Sequence, residues 1–205
     1  MGQMIYLSVK TTDAETPLDF TCNDEFCAIW LDGGLLEIEG QNTNRRSALL
    51  RKGQPYRVVP DIKTRIVQFP LRFEAGNGRS QGVAFVENAL LRLDQVTFPS
   101  GAVAYRHVHP GAGYRVLVEG QLKIISDQEQ YPVTLGDVWF EPANSPVRAE
   151  ASLSDPHSSF VRFMVLPVEY YGKPTIEILD PEDAQRPRLQ TTDRIIDEVV
   201  QLSPG

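Results

Sequence analysis

Short apolar segments separated by turn residues constrain the fold of this chain more than any other feature of its sequence. The 205 residues include 15 Gly and 15 Pro. Clusters of Gly, Pro, Asn and Asp divide the chain into short runs of strand-forming residues. Many short strands with such turns are typical of an all-β sandwich or barrel, a class that includes the double-sheet jelly rolls. We therefore predict an all-β fold.

Three sequence signatures recur in the same order in the two halves of the chain. The first signature is an apolar strand, then an acidic residue with glycine, then a second strand. The second signature is a glycine turn followed by a strand and a proline. The third signature is an Arg and a Pro five residues apart. The pairs are 28–40 with 116–125, 50–60 with 135–142, and 65–70 with 162–167. This order indicates a duplicated unit.

The predicted domains are an N-terminal half at 1–75, a C-terminal barrel at 83–172 and a tail at 173–205. The polar, glycine-containing stretch 73–82 is the predicted linker between the halves. A single barrel whose sheets are extended by N-terminal strands predicts almost the same strands, so this alternative stays open.

A short C-terminal helix is predicted from Thr192. Ile195, Val199 and Leu202 follow the i, i+4, i+7 spacing of one helix face, and Asp193 lies near the positive end of the helix dipole. Two roles are open for this helix. It covers an open barrel edge, or it packs against a second subunit.

Composition narrows the classes of function. The chain is 41% hydrophobic and 23% charged, which is enough to bury an ordinary core. Its formal charge of -7 disfavours binding to a phosphate backbone, so no nucleic-acid role is predicted. No stretch approaches the roughly 20 apolar residues that span a bilayer, and no basic segment with a long apolar run begins the sequence. We predict a cytoplasmic protein in which the thiols of Cys22 and Cys27 are reduced, with a short disulfide between them as the alternative.

Two of the three histidines of the chain lie two residues apart, at His107 and His109. In a continuous strand, side chains two apart point to the same face, about 7 Å apart along the backbone. The pair therefore forms one edge of a candidate metal site. The third histidine, His157, is also in the second half, and the first half has none.

The residues around this pair resemble the first motif of the cupin superfamily, G-x5-H-x-H-x3-E-x6-G. Gly101, His107, His109 and Gly120 match it, whereas Gly113 stands at the Glu position. The second cupin motif, G-x5-P-x-G-x2-H-x3-N, is matched only at two positions. Its glycine and proline are Gly136 and Pro142, while Asn144, Val147 and Ala151 stand at its Gly, His and Asn positions.

This resemblance implies a double-stranded β-helix, or jelly-roll, and a bicupin with a degenerate first barrel. It also implies a homodimer. In cupins, the two histidines and the Glu of the first motif and the His of the second hold one divalent metal, so this chain keeps two of four ligands. An ion such as Fe, Mn, Ni or Zn would need a further ligand. The candidates are Tyr114, Glu119, Glu141 and His157.

Two other residues are predicted to face a small-molecule pocket. Tyr105 shares the strand parity of His107 and His109, and Arg115 shares that of Gly113. An interior guanidinium requires an anionic partner, because an unpaired buried charge is very costly. For Arg115 this partner is a bound carboxylate or a neighbouring Glu. Trp139 and Glu141 are expected on alternate faces of one strand, and Arg148 and Arg162 have weaker claims to the pocket.

Two classes of function follow. The first is a cupin-domain protein that binds a small polar or anionic molecule in the C-terminal barrel, with weak or absent metal and an undetermined activity. The second is a metal-dependent cupin enzyme, of the dioxygenase or isomerase type, with His107 and His109 as ligands. The sequence identifies no catalytic residue. It contains no phosphate loop, nucleophile elbow or Cys-His pairing, which disfavours nucleotide hydrolysis and serine or cysteine catalysis.

Overall fold

The computed structural model describes residues 3–39, 41–75, 80–85 and 87–202. The chain divides into two compact units, of which the first lies within residues 1–86 and the second is Glu87–Leu202. Both consist mainly of antiparallel strands, which confirms the predicted all-β fold. Within the described residues, no helix has the length and apolar character needed to cross a membrane.

The first unit contains ten strands in two sheets. One sheet has the order β10-β1-β9-β4-β7, with β2 also paired to β9, and the other has the order β3-β8-β5-β6. The strands are β1 (Gln3–Ser8), β2 (Lys10–Ala14), β3 (Leu18–Thr21), β4 (Phe26–Asp32), β5 (Leu35–Ile38), β6 (Gln41–Arg45), β7 (Ser47–Arg51), β8 (Pro55–Val59), β9 (Thr64–Arg72) and β10 (Ser80–Phe85).

The core of the first unit is filled by its own apolar side chains. Ile29, Leu36, Leu50, Val58 and Ile66, from five different strands, are all fully buried in one cluster. Cys22 and Cys27 belong to the same cluster, and both are free thiols, as the sequence predicted. Burial raises the pKa of both thiols, so they remain protonated at neutral pH and act as small apolar residues.

The second unit contains the other ten strands, again in two sheets. Their orders are β16-β13-β18-β11-β20 and β15-β14-β17-β12-β19. The strands are β11 (Asn88–Pro99), β12 (Val103–Val108), β13 (Ala112–Glu119), β14 (Leu122–Ser126), β15 (Gln130–Val133), β16 (Val138–Glu141), β17 (Val147–Ala151), β18 (His157–Leu166), β19 (Glu177–Ile178) and β20 (Thr191–Gln201). A 3-10 turn at Val168–Tyr170 and one short helix, α1 (Pro181–Ala184), lie between β18 and β20.

Strands β3 to β9 pair with one another in the same pattern as β12 to β18. In each unit the second strand of the series pairs with the fifth and seventh, the third pairs with the fourth and sixth, and the first pairs with the sixth. A glycine with positive φ, Gly33 in one unit and Gly120 in the other, follows the second strand of the series. Each turn carries the chain from one sheet to the other, and only glycine adopts such φ values without strain.

For two of the three repeated signatures, the paired segments of sequence do not occupy equivalent positions on the corresponding strands of the two units. The segment 50–60 covers the end of β7 and β8, whereas 135–142 covers β16, which is the counterpart of β7. Arg65 and Arg162 do lie on the equivalent strands β9 and β18, but their registers differ. Arg65 is opposite Asp32, beside the glycine turn, and Arg162 is opposite Arg115, four residues before the end of its strand.

The C-terminal region contains a short helix, but not where the residue spacing predicted it. The helix α1 begins at Pro181, with Asp180 as its N-cap, whereas Thr191–Gln201 is the strand β20, paired along β11. The sequence was misleading here because it fits both structures. Ile195, Val199 and Leu202 have the spacing of one helix face, whereas Val200 and Leu202 have the spacing of one strand face. The expected covering of a barrel edge is performed by this strand. The predicted linker is likewise shorter than 73–82, since β10 begins at Ser80.

Candidate functional site

A cavity of about 360 Å³ lies inside the second unit, between its two sheets. Its wall combines apolar side chains with an unusual number of charged ones. The polar lining residues are His107, His109, Arg115, Glu141, Arg162, Thr175, Arg188, Gln190, Thr192 and Arg194, and the apolar ones are Val96, Phe98, Ala104, Ile124, Trp139, Val147, Ala149, Phe160, Pro174 and Ile176.

His107 and His109 meet in this cavity, as the motif predicted. Both side chains are buried, and their ring centroids are 4.9 Å apart with the ring planes nearly perpendicular. His107 is on β12 and His109 directly follows it. The backbone oxygen of His109 accepts a hydrogen bond from the N–H of Asn144 at 2.7 Å. Asn144 has a positive φ of 57° at the position where the cupin motif has glycine, a conformation that Asn tolerates better than most residues.

Tyr105 lies outside the cavity wall, unlike the histidine that follows it two residues later. The pairing of β12 with β17 shifts register between Ala104 and His107, so strict alternation fails at this point. Ala104 and His107 line the cavity, while the Tyr105 ring lies 5.4 Å from the guanidinium carbon of Arg148 and 5.2 Å from that of Arg186. The sequence contains no signal for this irregularity.

Both imidazoles are neutral, and their hydrogen bonds fix which nitrogen carries the proton. The Nδ1 of His107 is 2.7 Å from the carbonyl oxygen of Tyr105, and the Nδ1 of His109 is 3.0 Å from that of Thr175. A carbonyl oxygen only accepts, so each Nδ1 donates and each Nε2 keeps a lone pair. Burial lowers the pKa of His107, and it lowers that of His109 further, with the charge of Arg162 acting in the same direction.

The lone pair of His109 is engaged by a guanidinium. Arg162 Nη1 donates to His109 Nε2 at 3.2 Å, and the same guanidinium binds Asp94 Oδ2 through Nε at 3.0 Å and Nη2 at 2.9 Å. All three side chains are buried. Arg162 therefore holds a positive charge at the histidine nitrogen that would otherwise face a metal.

Arg115 faces the cavity, as its strand parity predicted, and its partner is a neighbouring glutamate. Arg115 Nη2 lies 2.7 Å from Glu141 Oε2, and Nη1 donates to the carbonyl oxygen of Gly113. Trp139 and Glu141 share a face of β16, contrary to expectation, because residues two apart in a strand point the same way. Trp139 Nε1 donates to Glu141 Oε1 at 2.9 Å.

Arg115 is fully buried, and its charge is paired with that of Glu141 by this short contact. Desolvation of the buried group lowers the pKa of Arg115 to about 10, so it stays charged at neutral pH. Its ion pair with Glu141 offsets most of the cost of burying this charge.

Two more arginines approach the cavity from the segment that follows β18. Arg188 is exposed, and no ion pair of its guanidinium occurs in the described part of the chain. Arg194, on β20, lies 3.9 Å from Asp94 Oδ1 and 3.6 Å from Asp197 Oδ2, and its buried Nε has no hydrogen-bond partner. The segment that carries them is fastened by the fully buried Arg92, which donates to the carbonyl oxygens of Tyr170 and Lys173.

The donor set does not fit a divalent metal. Across residues 3–39, 41–75, 80–85 and 87–202, no three His, Cys, Asp or Glu side chains are grouped closely enough to hold one. The positive charges of Arg115 and Arg162 oppose a cation beside the histidines. Of the four candidate further ligands, only Glu141 lines the cavity, and it is paired with Arg115. His157 pairs with Glu119 on the surface.

At Gly113, which stands at the Glu position of the cupin motif, the backbone of β18 occupies the space that a side chain would need. A Cβ built on Gly113 would collide with the carbonyl oxygen of Phe163 and lie 3.0 Å from the Cα of Met164. Glycine is therefore required by the close approach of β18 to β13. A carboxylate cannot be placed there without moving β18.

Sequence reasoning underestimated Arg162 and missed Arg188 and Arg194 as site residues. A signal for Arg162 exists, since it is the only charged residue in the otherwise apolar run from Phe160 to Leu166. Such a charge in a buried strand requires a partner. Arg188 and Arg194 have no comparable signal, because they lie in a polar tail where charged residues are ordinary.

The fold and the site together define a jelly-roll barrel of the cupin type. A model of the cupin domain matches residues 94–156, which span β11 to β17 and include both histidines. This part of the chain is therefore similar to a cupin domain, and its fold is the jelly roll of cupin proteins. No curated protein matches the sequence.

Three solved structures with similar folds are distant from this chain in sequence. Oxalate decarboxylase from Lactobacillus farciminis, in a formate complex, has a TM-score of 0.59 at 10% identity, with 89% of this chain and 82% of that chain covered. AerE from Microcystis aeruginosa has a TM-score of 0.52 at 14% identity, with 80% and 88% covered. A cupin 2 conserved barrel domain protein from Leptotrichia buccalis has a TM-score of 0.50 at 15% identity, with 78% and 83% covered. At these identities the similarity concerns the fold alone.

Proposed function

We propose that the second unit binds a small anionic molecule in its barrel through arginine side chains, without a metal. The observation that carries this proposal is the arginine-rich wall of the cavity, in which Arg188 has no ion pair among the described residues. A ligand carboxylate or similar oxyanion suits such a wall, because guanidinium groups match planar oxyanions in geometry and charge.

The charge balance of the cavity supports an anionic ligand. Four arginines, Arg115, Arg162, Arg188 and Arg194, line it, whereas Glu141 is the only acidic lining residue. Asp94 adds a second negative charge through its contact with Arg162, and Asp197 adds a third, which it shares between Arg194 and the buried Arg92. With Arg92 included, five arginines are balanced by three carboxylates, so two positive charges are left over. In a partly enclosed site they attract an anion more strongly than on an open surface.

The arrangement of His109 and Arg162 supports a metal-independent site. A metal and a guanidinium cannot both use the Nε2 lone pair of His109, and Arg162 is held in its place by the two hydrogen bonds that it donates to Asp94. In this proposal the arginines take over the electrostatic role that a metal ion has in other sites, which is to neutralise and orient an anion.

The first unit is proposed to be a second, degenerate barrel of the same kind. The shared pairing pattern of β3 to β9 and β12 to β18 supports an origin by duplication. Its interior is occupied by apolar side chains such as Ile29, Leu36 and Val58, and no histidine lies within it. We assign the binding role to the second unit only.

Calorimetric titration of the full chain with small carboxylates tests the proposal. The protein is first treated with EDTA, and acetate, succinate and phenylacetate are then titrated. We expect at least one to bind with a Kd below about 1 mM, and binding to weaken as salt is added. Absence of binding by all three would overturn the proposal. Binding that appears only after addition of Fe²⁺, Mn²⁺, Ni²⁺ or Zn²⁺ would instead favour the metal-dependent enzyme.

Variants of two exposed arginines test whether the anion binds in the cavity. Arg188 lines the cavity, whereas Arg186, two residues earlier, lies over the Tyr105 ring outside it. Arg188→Gln is expected to weaken anion binding several-fold, and Arg186→Gln is expected to leave it unchanged. Equal effects of the two variants would mean that the anion responds only to the overall charge.

A further inference from the structure

We infer that the ligand of this site is amphipathic, with one carboxylate or similar anionic group on an apolar, preferably aromatic, body. This inference rests on the proposed function and names the class of molecule that the cavity accepts. Its basis is the separation of charged and apolar side chains along the strands of the barrel.

The strand register places the charged side chains in one row across three neighbouring strands. Asp94 of β11 is opposite Arg162 of β18, which is opposite Arg115 of β13. We call these three residues the charged row. All three are buried, and Arg115 and Arg162 line the cavity.

The next row, two residues further along the same three strands, is entirely apolar. Val96 is opposite Phe160, which is opposite Leu117. We call these three residues the apolar row. Side chains two apart on one strand face the same side at a spacing of about 7 Å. The charged row and the apolar row are therefore only about 7 Å apart, so one small organic molecule can contact both.

The opposite sheet continues the apolar end of the cavity. Ala104 of β12, Ile124 of β14 and Ala149 of β17 line it and belong to the same apolar cluster as Phe98 and Phe160. Trp139 is opposite Arg115 in the strand register, but its ring packs in this cluster. Trp139 and Phe160 are in edge contact, with ring centroids 5.4 Å apart. An aromatic group entering this end would meet two ring systems and two small alanine side chains, a setting that favours a flat apolar body.

A wholly polar anion would use only part of this site. It would satisfy the charged row, but it would leave the apolar wall in contact with water, which is unfavourable in proportion to the exposed area. A neutral apolar molecule would have the opposite defect, because it would leave the surplus positive charge of the arginine side chains without a counter-charge in the cavity. A molecule with both parts satisfies both ends of the cavity.

Comparison of three related probes tests the inference in the EDTA-treated full chain. Phenylacetate has the acid and the ring, acetate has the acid alone, and phenylacetamide has the ring with a neutral head group. We expect phenylacetate to bind at least about ten-fold more tightly than either of the others. The change can be followed by calorimetry and, in a Trp30→Phe background, by the fluorescence of Trp139, since these are the two tryptophans of the chain.

The outcomes separate this inference from the proposed function. If acetate or succinate binds as tightly as phenylacetate, the site binds anions but has no preference for an apolar body, and only the inference fails. If phenylacetamide matches phenylacetate, the charged row does not determine binding, and both fail. If none of the probes binds, the proposed function itself is overturned.

A substitution at the apolar end gives an independent measurement. Ala149→Leu adds bulk to the cavity wall and is expected to weaken phenylacetate binding at least ten-fold. Its thermal midpoint and circular dichroism spectrum report whether the barrel is intact. If this variant does not fold, the affinities of the wild-type protein for the three probes still decide the question, and unchanged affinity in a folded variant contradicts the inference.

Discussion

At the scale of single residues, the contact between Arg162 and His109 determines the character of the site. The histidine is neutral, donates through Nδ1 to Thr175 and accepts from Arg162 through Nε2. Protonation would place a second positive charge against the guanidinium in a buried environment. This geometry makes His109 a structural acceptor and gives the second unit a defined response to acid.

The first prediction concerns that response. Burial and Arg162 lower the pKa of His109 well below its ordinary value of 6.5, so the unfolded chain binds more protons than the folded one as the pH falls through 6.5. The stability associated with neutral His109 is therefore present above about pH 6.5 and is lost progressively below it. We expect the thermal midpoint of wild type to fall between pH 7 and pH 5, and His109→Gln to reduce this slope.

The partly exposed His157 provides the control for this measurement. The variant His157→Gln changes a surface histidine paired with Glu119 and leaves the buried pair intact. It should keep most of the acid sensitivity of wild type. A slope that is equally reduced in both variants would contradict the role assigned to His109.

The second prediction concerns the closed glutamate position. Gly113→Glu combined with Val147→His restores both residue types of the cupin motifs, but the collision of a new Cβ with the Phe163 carbonyl oxygen opposes the first change. We expect a loss of about 2 kcal/mol or more in the free energy of unfolding, measured with denaturant. Metal analysis should show no stoichiometric ion.

Val147→His alone is the matched variant, because Val147 lines the cavity without that collision. It should be less destabilising than the double variant. Tight, stoichiometric metal binding by a well-folded double variant would show that the barrel still accepts the complete ligand set.

At the scale of elements, β20 shows where residue spacing alone misleads. Its side chains fit both a helical face and a strand face, and the edge of β11 decides between them by offering unpaired backbone groups. The bulge in β12 is a similar case, because the alternation that correctly placed His107 and Arg115 failed for Tyr105. Alternation and motif spacing thus placed two residues, His107 and Arg115, on the cavity wall. They could not predict the register shift in β12 or the strand β20.

The third prediction distinguishes the strand from the predicted helix. Val200 is 3% exposed and Val199 is 46% exposed, whereas the helical face would bury Val199. We expect Val200→Ala to lower the free energy of unfolding by about 1–2 kcal/mol. Val199→Ala should cost less than about 0.5 kcal/mol. Denaturant unfolding of the two variants checks this, and a larger loss at Val199 would contradict the strand.

At the scale of the whole molecule, the second unit has the features of an independent domain. It contains both of its sheets, its own apolar cluster and every residue of the cavity wall within Glu87–Leu202. The sequence predicted the all-β fold because turn residues are local properties, and the duplication stays a proposal. The sequence assigned the tail from residue 173 to a separate region, because the pairing of β20 with β11 connects positions about a hundred residues apart.

The fourth prediction follows from this completeness. A polypeptide of residues 87–202 should unfold in one cooperative transition and bind the same carboxylates as the full chain. Ending the polypeptide at residue 172 removes β19 and β20 and should abolish both properties. Circular dichroism and calorimetry measure them. Retention of binding after the shorter truncation would remove Arg188 and Arg194 from the site. The homodimer implied by the cupin resemblance stays a prediction, which sedimentation of the full chain would test.

The contact of β13 with β18 at Gly113 has a practical consequence for protein engineering. Because a main-chain oxygen occupies the space that a side chain would need, swapping one amino acid at this point cannot install an acidic ligand. A designer who wishes to build an iron or manganese catalyst in this scaffold must take the carboxylate from Glu141 and first replace Arg115 and Arg162 with uncharged residues.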